Sequence, residues 1–98
     1  MDSEWDEAKR LPNFRKHGID FVDAARIFDR PFVETEDLRR DYGERRYRAF
    51  GEFDGRVIQV IYTWRRDRRR IITVRRARRD ERRAYYTGIE QAAREDER

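Results

Sequence analysis

Cysteine is absent from the chain, which excludes a disulfide framework and any thiolate zinc site. Histidine occurs once, at His17, and one imidazole does not make a histidine metal site. The sequence therefore implies no metal and no other cofactor. Proline occurs twice and glycine five times, too sparsely for a linker or a low-complexity tract. No internal repeat is visible. No apolar run approaches the ~20 residues of a membrane-spanning helix, and the opening segment MDSEWDEAKR has no signal-peptide pattern. A soluble, cytoplasmic protein is expected, with residues 1–98 forming one domain, since 98 residues leave no room for two.

What is abundant is charge. Charged residues make up 47% of the chain and hydrophobic residues 37%, a balance that borders on disorder. Two Trp, five Tyr and six Phe argue against it, as do apolar residues that fall into periodic runs. The net charge of +4 hides an asymmetry. Residues 1–44 hold eight basic against twelve acidic side chains, residues 45–83 fifteen against five, and residues 84–98 two against four. A basic middle between acidic flanks steers anionic ligands. Arginine outnumbers lysine 23 to 2. Its planar fork matches phosphate and stacks on bases, so a polyanion is expected as partner and RNA fits best. A solvated charged face is the plainer explanation of the same run, but it does not account for the clustering.

The apolar spacing predicts an α+β fold. Asp6 suits a helix N-cap and Gly18 a C-terminal stop. Pro12 breaks that stretch, so a turn from Asp6 and a short helix from Pro12 to His17 are expected. Asp20 caps a second helix over 20–29, with Phe21, Ala24, Ala25 and Phe28 on one face. Strands are expected at 32–36, 45–53, 56–64 and 70–76, about four in an antiparallel meander. Tyr47, Ala49, Gly51 and Phe53 share a face. Asp54-Gly55 is a hairpin signal. Ile58, Val60, Tyr62 and Trp64 oppose Val57 and Ile61, as in a central strand. In the last strand Ile72 and Val74 oppose Ile71 and Thr73. Trp64 and the phenylalanines are expected in the core, and Arg65, Arg66, Arg68 and Arg69 at a charged hairpin tip. A final helix begins near Arg79 with Glu81, Tyr85 and Ile89 on one face. Gly88 is expected to end or weaken it, with 89–98 continuing as a frayed acidic turn.

Four segments carry a family resemblance: WDEAK at 5–9, NFRKHGIDF at 13–21, AARIFDRPF at 24–32 and RRIITVRRARRDERRAYY at 69–86. Spaced as they are, they resemble the BrnT family of bacterial toxins over Trp5 to Tyr86. The resemblance implies a RelE-like fold and the toxin of a type II toxin–antitoxin system, a metal-independent endoribonuclease that inhibits translation and growth. It also implies a BrnA-type ribbon-helix-helix antitoxin, in a heterotetramer that binds operator DNA through the antitoxin dimer.

Such a ribonuclease must deprotonate the 2′-hydroxyl, stabilise a dianionic phosphorane and protonate the leaving 5′-oxygen. Arg75 and Arg76 end the last strand and suit the middle task. Adjacent strand residues point to opposite faces, so at most one of the pair faces a given cleft. His17 titrates near neutrality and suits acid–base work, although a helix C-terminus favours histidine by itself. Glu81 reads as a base or as a positioner of arginine. Tyr85 reads as a stacking or proton-donating group, or equally as core. Lys16, Arg70 and Arg82 read as RNA contacts. A non-catalytic nucleic-acid-binding module and a basic surface for an acidic partner remain open on the residues alone.

Overall fold

The computed structural model describes residues 2–96. Three strands that the spacing predicts as neighbours sit at the centre: β3 (Tyr47–Phe53), β4 (Arg56–Arg65) and β5 (Arg68–Arg76). The β3–β4 hairpin turns at Asp54-Gly55, where both residues take positive φ, 53° and 74°. That is the primed turn which an Asp-Gly pair favours, because its twist matches that of the strands. β2 (Val33–Glu36) pairs antiparallel to β3.

A fifth strand was not expected. Ser3–Trp5 forms β1 and runs parallel to β5, with Trp5 opposite Ile71. The sheet is therefore mixed and five-stranded, in the order β1-β5-β4-β3-β2. Three residues are too short a run for alternation to reveal. Trp5 does anchor packing, edge-on to Phe21 at 6.2 Å.

The sheet is covered on both faces. On one lie Ile19, Phe21, Ala24 and Ile27, packed on Ala49, Ile58, Val60, Tyr62, Ile71 and Val74. On the other, Tyr85 and Ala77 pack on Phe50 and Val57. β4 feeds both cores, as its apolar run requires. β5 departs from simple alternation. Its register against β4 shifts between Ile61 and Tyr62, so Ile61 faces Thr73 while Tyr62 faces Ile71. Ile72 is the extra residue of a β-bulge. Ile71 and Val74 thus enter the same core, which strict period-two reading had placed on opposite faces.

Two helix boundaries also differ from expectation. α1 is continuous from Glu7 to His17 and runs through Pro12. Pro12 lacks the N–H that would bond the Ala8 carbonyl, but the helix is held at both ends and from the side. The Asp6 carboxylate accepts from the Ala8 N–H at 3.0 Å, and the Gly18 N–H donates to the Phe14 carbonyl at 2.7 Å. Asn13 Oδ1 accepts from the Val74 N–H of β5 at 3.2 Å. α2 (Phe21–Ala24), capped by Asp20, passes into a 3-10 turn over Ala25–Asp29. α3 spans Arg79–Asp96 and does not stop at Gly88. A Cβ there would meet Val33 Cγ1 at 2.9 Å, so this glycine lets the helix approach β2 rather than ending it. The expected frayed tail is thus helical to Asp96, and its last two residues lie outside the described chain. Phe14 and Trp64, expected in the core, are 45% and 39% exposed. Among the described residues no helix is long and apolar enough to cross a membrane.

Gly51 marks the tightest approach. A Cβ there would stand 2.6 Å from Ile27 Cβ, between a strand and the 3-10 turn, where neither backbone can retreat easily. Gly51→Ala is expected to cost about 1–3 kcal/mol by overpacking, read as a lower urea midpoint at unchanged slope.

Candidate active site

Glu81 lies in the first turn of α3 and is 7% exposed. A buried carboxylate must be paired, and this one is paired three times. Arg75 Nη1 donates to Oε1 at 2.8 Å and Arg75 Nη2 to Oε2 at 2.9 Å. Arg48 Nη2 reaches Oε2 at 3.2 Å, as does Arg78 Nη2. The Arg78 backbone N–H donates to Oε1 at 2.8 Å, the carboxylate half of a capping box. The hydrogen bonds from Arg75, opposed by burial, bring the Glu81 pKa down from 4.5 to about 2. Glu81 therefore stays anionic at neutral pH and is a poor base. Arg78 also lies 3.6 Å from Asp80, so three guanidinium charges against two carboxylates leave a local excess of one positive charge.

Arg75 is held on four sides. Its Nη2 also donates to Gln59 Oε1 at 2.8 Å, and its Nη1 to the Arg76 carbonyl at 2.9 Å. Four of its five N–H groups are thereby used, and Nε remains. Arg75 pairs across the ladder with Gln59 on the α3 face of the sheet. Arg76 points the other way, is exposed, and lines a separate cleft with Arg82. Alternation predicted this split, and the Glu81 contact decides which residue goes where.

The bulge at Ile72 also sorts the arginines of β5. Arg70 and Arg75 are five residues apart, which on a regular strand means opposite faces. With one extra residue between them they share a face. Arg70 Nη1 is bound to Glu4 Oε2 of β1 at 2.7 Å. It lines a cleft with Lys9, Arg46, Thr63 and Arg65. Arg69 turns to the opposite side. Its guanidinium carbon stands 4.1 Å from the Phe28 ring centroid, 4.7 Å from Trp64, 5.2 Å from Tyr62 and 5.5 Å from Phe32. Arg69 is thus a caged cation and not part of an exposed hairpin tip, where Arg65, Arg66 and Arg68 do remain.

His17 ends α1, which packs along β5. Its pKa is lowered first by burial, then by the charges of Lys16 and Arg75. Lys16 is exposed beside it. Tyr85 is buried in the second core, and burial raises its pKa, with Glu52 and Tyr86 adding to the shift. An apolar cavity of about 270 Å³, lined by Phe50, Ala84, Tyr85, Arg48 and Glu81, adjoins the cluster. Sequence reasoning missed Arg48, Arg78 and Gln59. Arg48 and Phe50 do alternate with Ala49 along β3, which is a weak signal, but the partner of Arg48 is 33 residues away. Among the described residues no group of three His, Cys, Asp or Glu could hold a metal ion.

The depressed Glu81 pKa sets a pH dependence. Its stabilisation is complete above about pH 4.5 and is lost as pH falls towards 2, with an upper magnitude of roughly 3 kcal/mol. Asp37, whose carboxyl is held below the usual range mainly by Arg39 hydrogen bonds, titrates in an overlapping window. The difference between wild-type and Glu81→Gln urea stabilities isolates the Glu81 part. That difference should be largest at pH 6–7 and shrink on acidification.

Comparison with known families matches residues 5–81 to BrnT_toxin, described as "Ribonuclease toxin, BrnT, of type II toxin-antitoxin system". A search of curated proteins returns no match. The matched span holds both strands of the Arg75–Gln59 pair, the α1 end with His17, and Glu81 as its last residue. On that match, which covers well over half of the chain, this protein belongs to the BrnT family of type II ribonuclease toxins.

Proposed function

We propose that this chain is a metal-independent endoribonuclease that cuts RNA by internal attack of the 2′-hydroxyl, leaving a 2′,3′-cyclic phosphate and a 5′-hydroxyl. One observation carries the reading: Arg75 is fixed by Glu81 and Gln59 in a cluster with Arg48 and Arg78. Catalysis of this step needs positive charge where the phosphorane forms, held in place before the reaction. Arg75 and Arg78 supply that charge, with Arg48 behind them. Glu81 serves as the positioner and not as the base.

His17 is the general base, and the leaving 5′-oxygen takes its proton from water. The lowered pKa of His17 keeps the neutral form dominant at pH 7, ready to accept the 2′-hydroxyl proton. Lys16 and Arg70 contact phosphates on the same side of the molecule. Arg76 and Arg82 contact RNA from the adjoining cleft, and Tyr85 acts through packing. Leu11 and Phe14, 49% and 45% exposed and one turn apart on α1, offer an apolar surface to an antitoxin. By family logic that antitoxin is a BrnA-type ribbon-helix-helix protein, assembled as a heterotetramer around its dimer and working in the cytoplasm. A short neighbouring reading frame encoding such a protein is expected.

Purified protein should cut single-stranded RNA in EDTA with a cyclic-phosphate product. Arg75→Ala should lower kcat by about 100- to 1000-fold, with RNA affinity changed far less. RNA affinity that falls in step with cleavage, and no cyclic product, would establish a binding module instead.

The pH profile tests His17. The acid limb of kcat/KM should have its midpoint below the ordinary histidine value of about 6.5, and it should move up in Arg75→Ala. His17→Gln should abolish the limb and reduce the rate about 100- to 10,000-fold. An unchanged limb in His17→Gln removes it from the mechanism. In cells, expression alone should arrest growth and co-expression of the antitoxin should restore it.

A further inference from the structure

Among the described residues, fewer than half of the arginines in this fold are paired with an acid: ten have a carboxylate within 4 Å. The cleft between the β3–β4 turn and the first turns of α3 gathers three of the others. It holds about 370 Å³ and is lined by Arg56, Arg76 and Arg82, with Gly55 at its mouth and Tyr86 on its wall. Among the described residues none of the three has a carboxylate within 4 Å, although the chain carries 21 acidic side chains. Three like charges converging on one concavity repel each other, and a bound anion relieves that repulsion.

Tyr86 adds a second feature. Its side chain is 50% exposed. Tyr85 braces the ring edge-on at 5.1 Å, and Glu52 raises the pKa of the Tyr86 hydroxyl. A half-exposed ring braced on one side presents a surface for stacking. Glu52 itself belongs to a cleft of mixed charge with Arg26, Asp29, Arg30 and Asp54.

We propose that this cleft is an RNA subsite distinct from the Arg75 centre, where Arg56, Arg76 and Arg82 hold a backbone phosphate and Tyr86 stacks on an adjacent base. Arg76 joins the two places. It follows Arg75 directly in β5 and points to the other side, so a strand of RNA crossing the end of β5 meets both. Arg82 and Tyr86 lie beyond residue 81, where the family match stops. An acidic peptide would satisfy the guanidinium forks but would leave the exposed ring unused. The subsite rests on the RNA reading of this protein in that RNA is its ligand.

The test uses an uncleavable 2′-O-methyl RNA dodecamer, with binding followed by fluorescence anisotropy over a range of salt. Arg56 is exposed beside the hairpin turn, so Arg56→Gln should fold as the wild type does, and circular dichroism checks this. Arg56→Gln and Arg56→Gln/Arg82→Gln should weaken binding stepwise, each removed charge lowering the log–log salt slope by about 0.7. Tyr86→Leu should weaken binding roughly 5- to 100-fold with the slope unchanged. Wild-type affinity and slope in all three variants overturn the subsite. If RNA cleavage in EDTA persists in that case, the ribonuclease reading stands without the subsite. If the variants lose dodecamer binding but the wild type never cleaves, the subsite stands and the ribonuclease reading falls. Variants that lose antitoxin binding while keeping RNA affinity overturn the proposal and give the cleft to an acidic segment of the partner.

Discussion

Glu81 is a carboxylate shut away from water among three guanidiniums, and much of the molecule is organised by how that charge is satisfied. Its two oxygens take hydrogen bonds from β3 through Arg48, from β5 through Arg75 and from the start of α3 through Arg78. β4 joins through Gln59. Removing one partner from a buried charged network typically costs about 3–5 kcal/mol, because the remaining charges lose their compensation. One residue thereby fixes the angle at which the last helix leaves the sheet. The same contacts hold Arg75 in a single orientation. The excess of guanidinium over carboxylate keeps the cluster attractive to phosphate after all internal pairing is complete.

Arginine plays several physical parts here, and position decides which. Arg75 is anchored and nearly saturated with hydrogen bonds. Arg69 is enclosed by four aromatic rings, beside Tyr62, whose hydroxyl donates to Glu34 at 2.5 Å. Arg39 clamps the buried Asp37 in the loop between β2 and β3. Arg56, Arg76 and Arg82 face solvent without a carboxylate beside them. A count of charges per segment does not separate these parts, although of the arginines just named the last group alone has no carboxylate or aromatic cage around its fork.

What was legible in the sequence was local. The Asp54-Gly55 turn, the Asp6, Gly18 and Asp20 caps and the Glu81–Tyr85–Ile89 stripe each depend on neighbours within a few residues. The split of Arg75 from Arg76 follows from the pleat. Two features misled because one residue type was read by its usual effect. Pro12 was tolerated where caps and Asn13 hold the helix around it, and Gly88 served closeness to Val33 rather than termination. β1 was invisible because three residues carry no period. Of the residues clustered around Glu81, the sequence reading singled out Arg75 and Glu81 but not Arg48, Gln59 or Arg78, and the contacts of Arg48 and Gln59 exist only once distant strands are paired. The ribonuclease chemistry came from the family resemblance and not from charge.

The bulge at Ile72 works as a phase shifter in β5. Upstream of it, odd-numbered residues look toward the aromatic cage. Downstream, they look toward Glu81. A chain with one residue fewer between Arg69 and Arg75 would keep both working orientations only by carrying the two arginines at a different spacing. Homologous positions in this strand therefore need not align without gaps. An alignment that forces them to do so will match a caged arginine in one chain with an RNA-facing arginine in another.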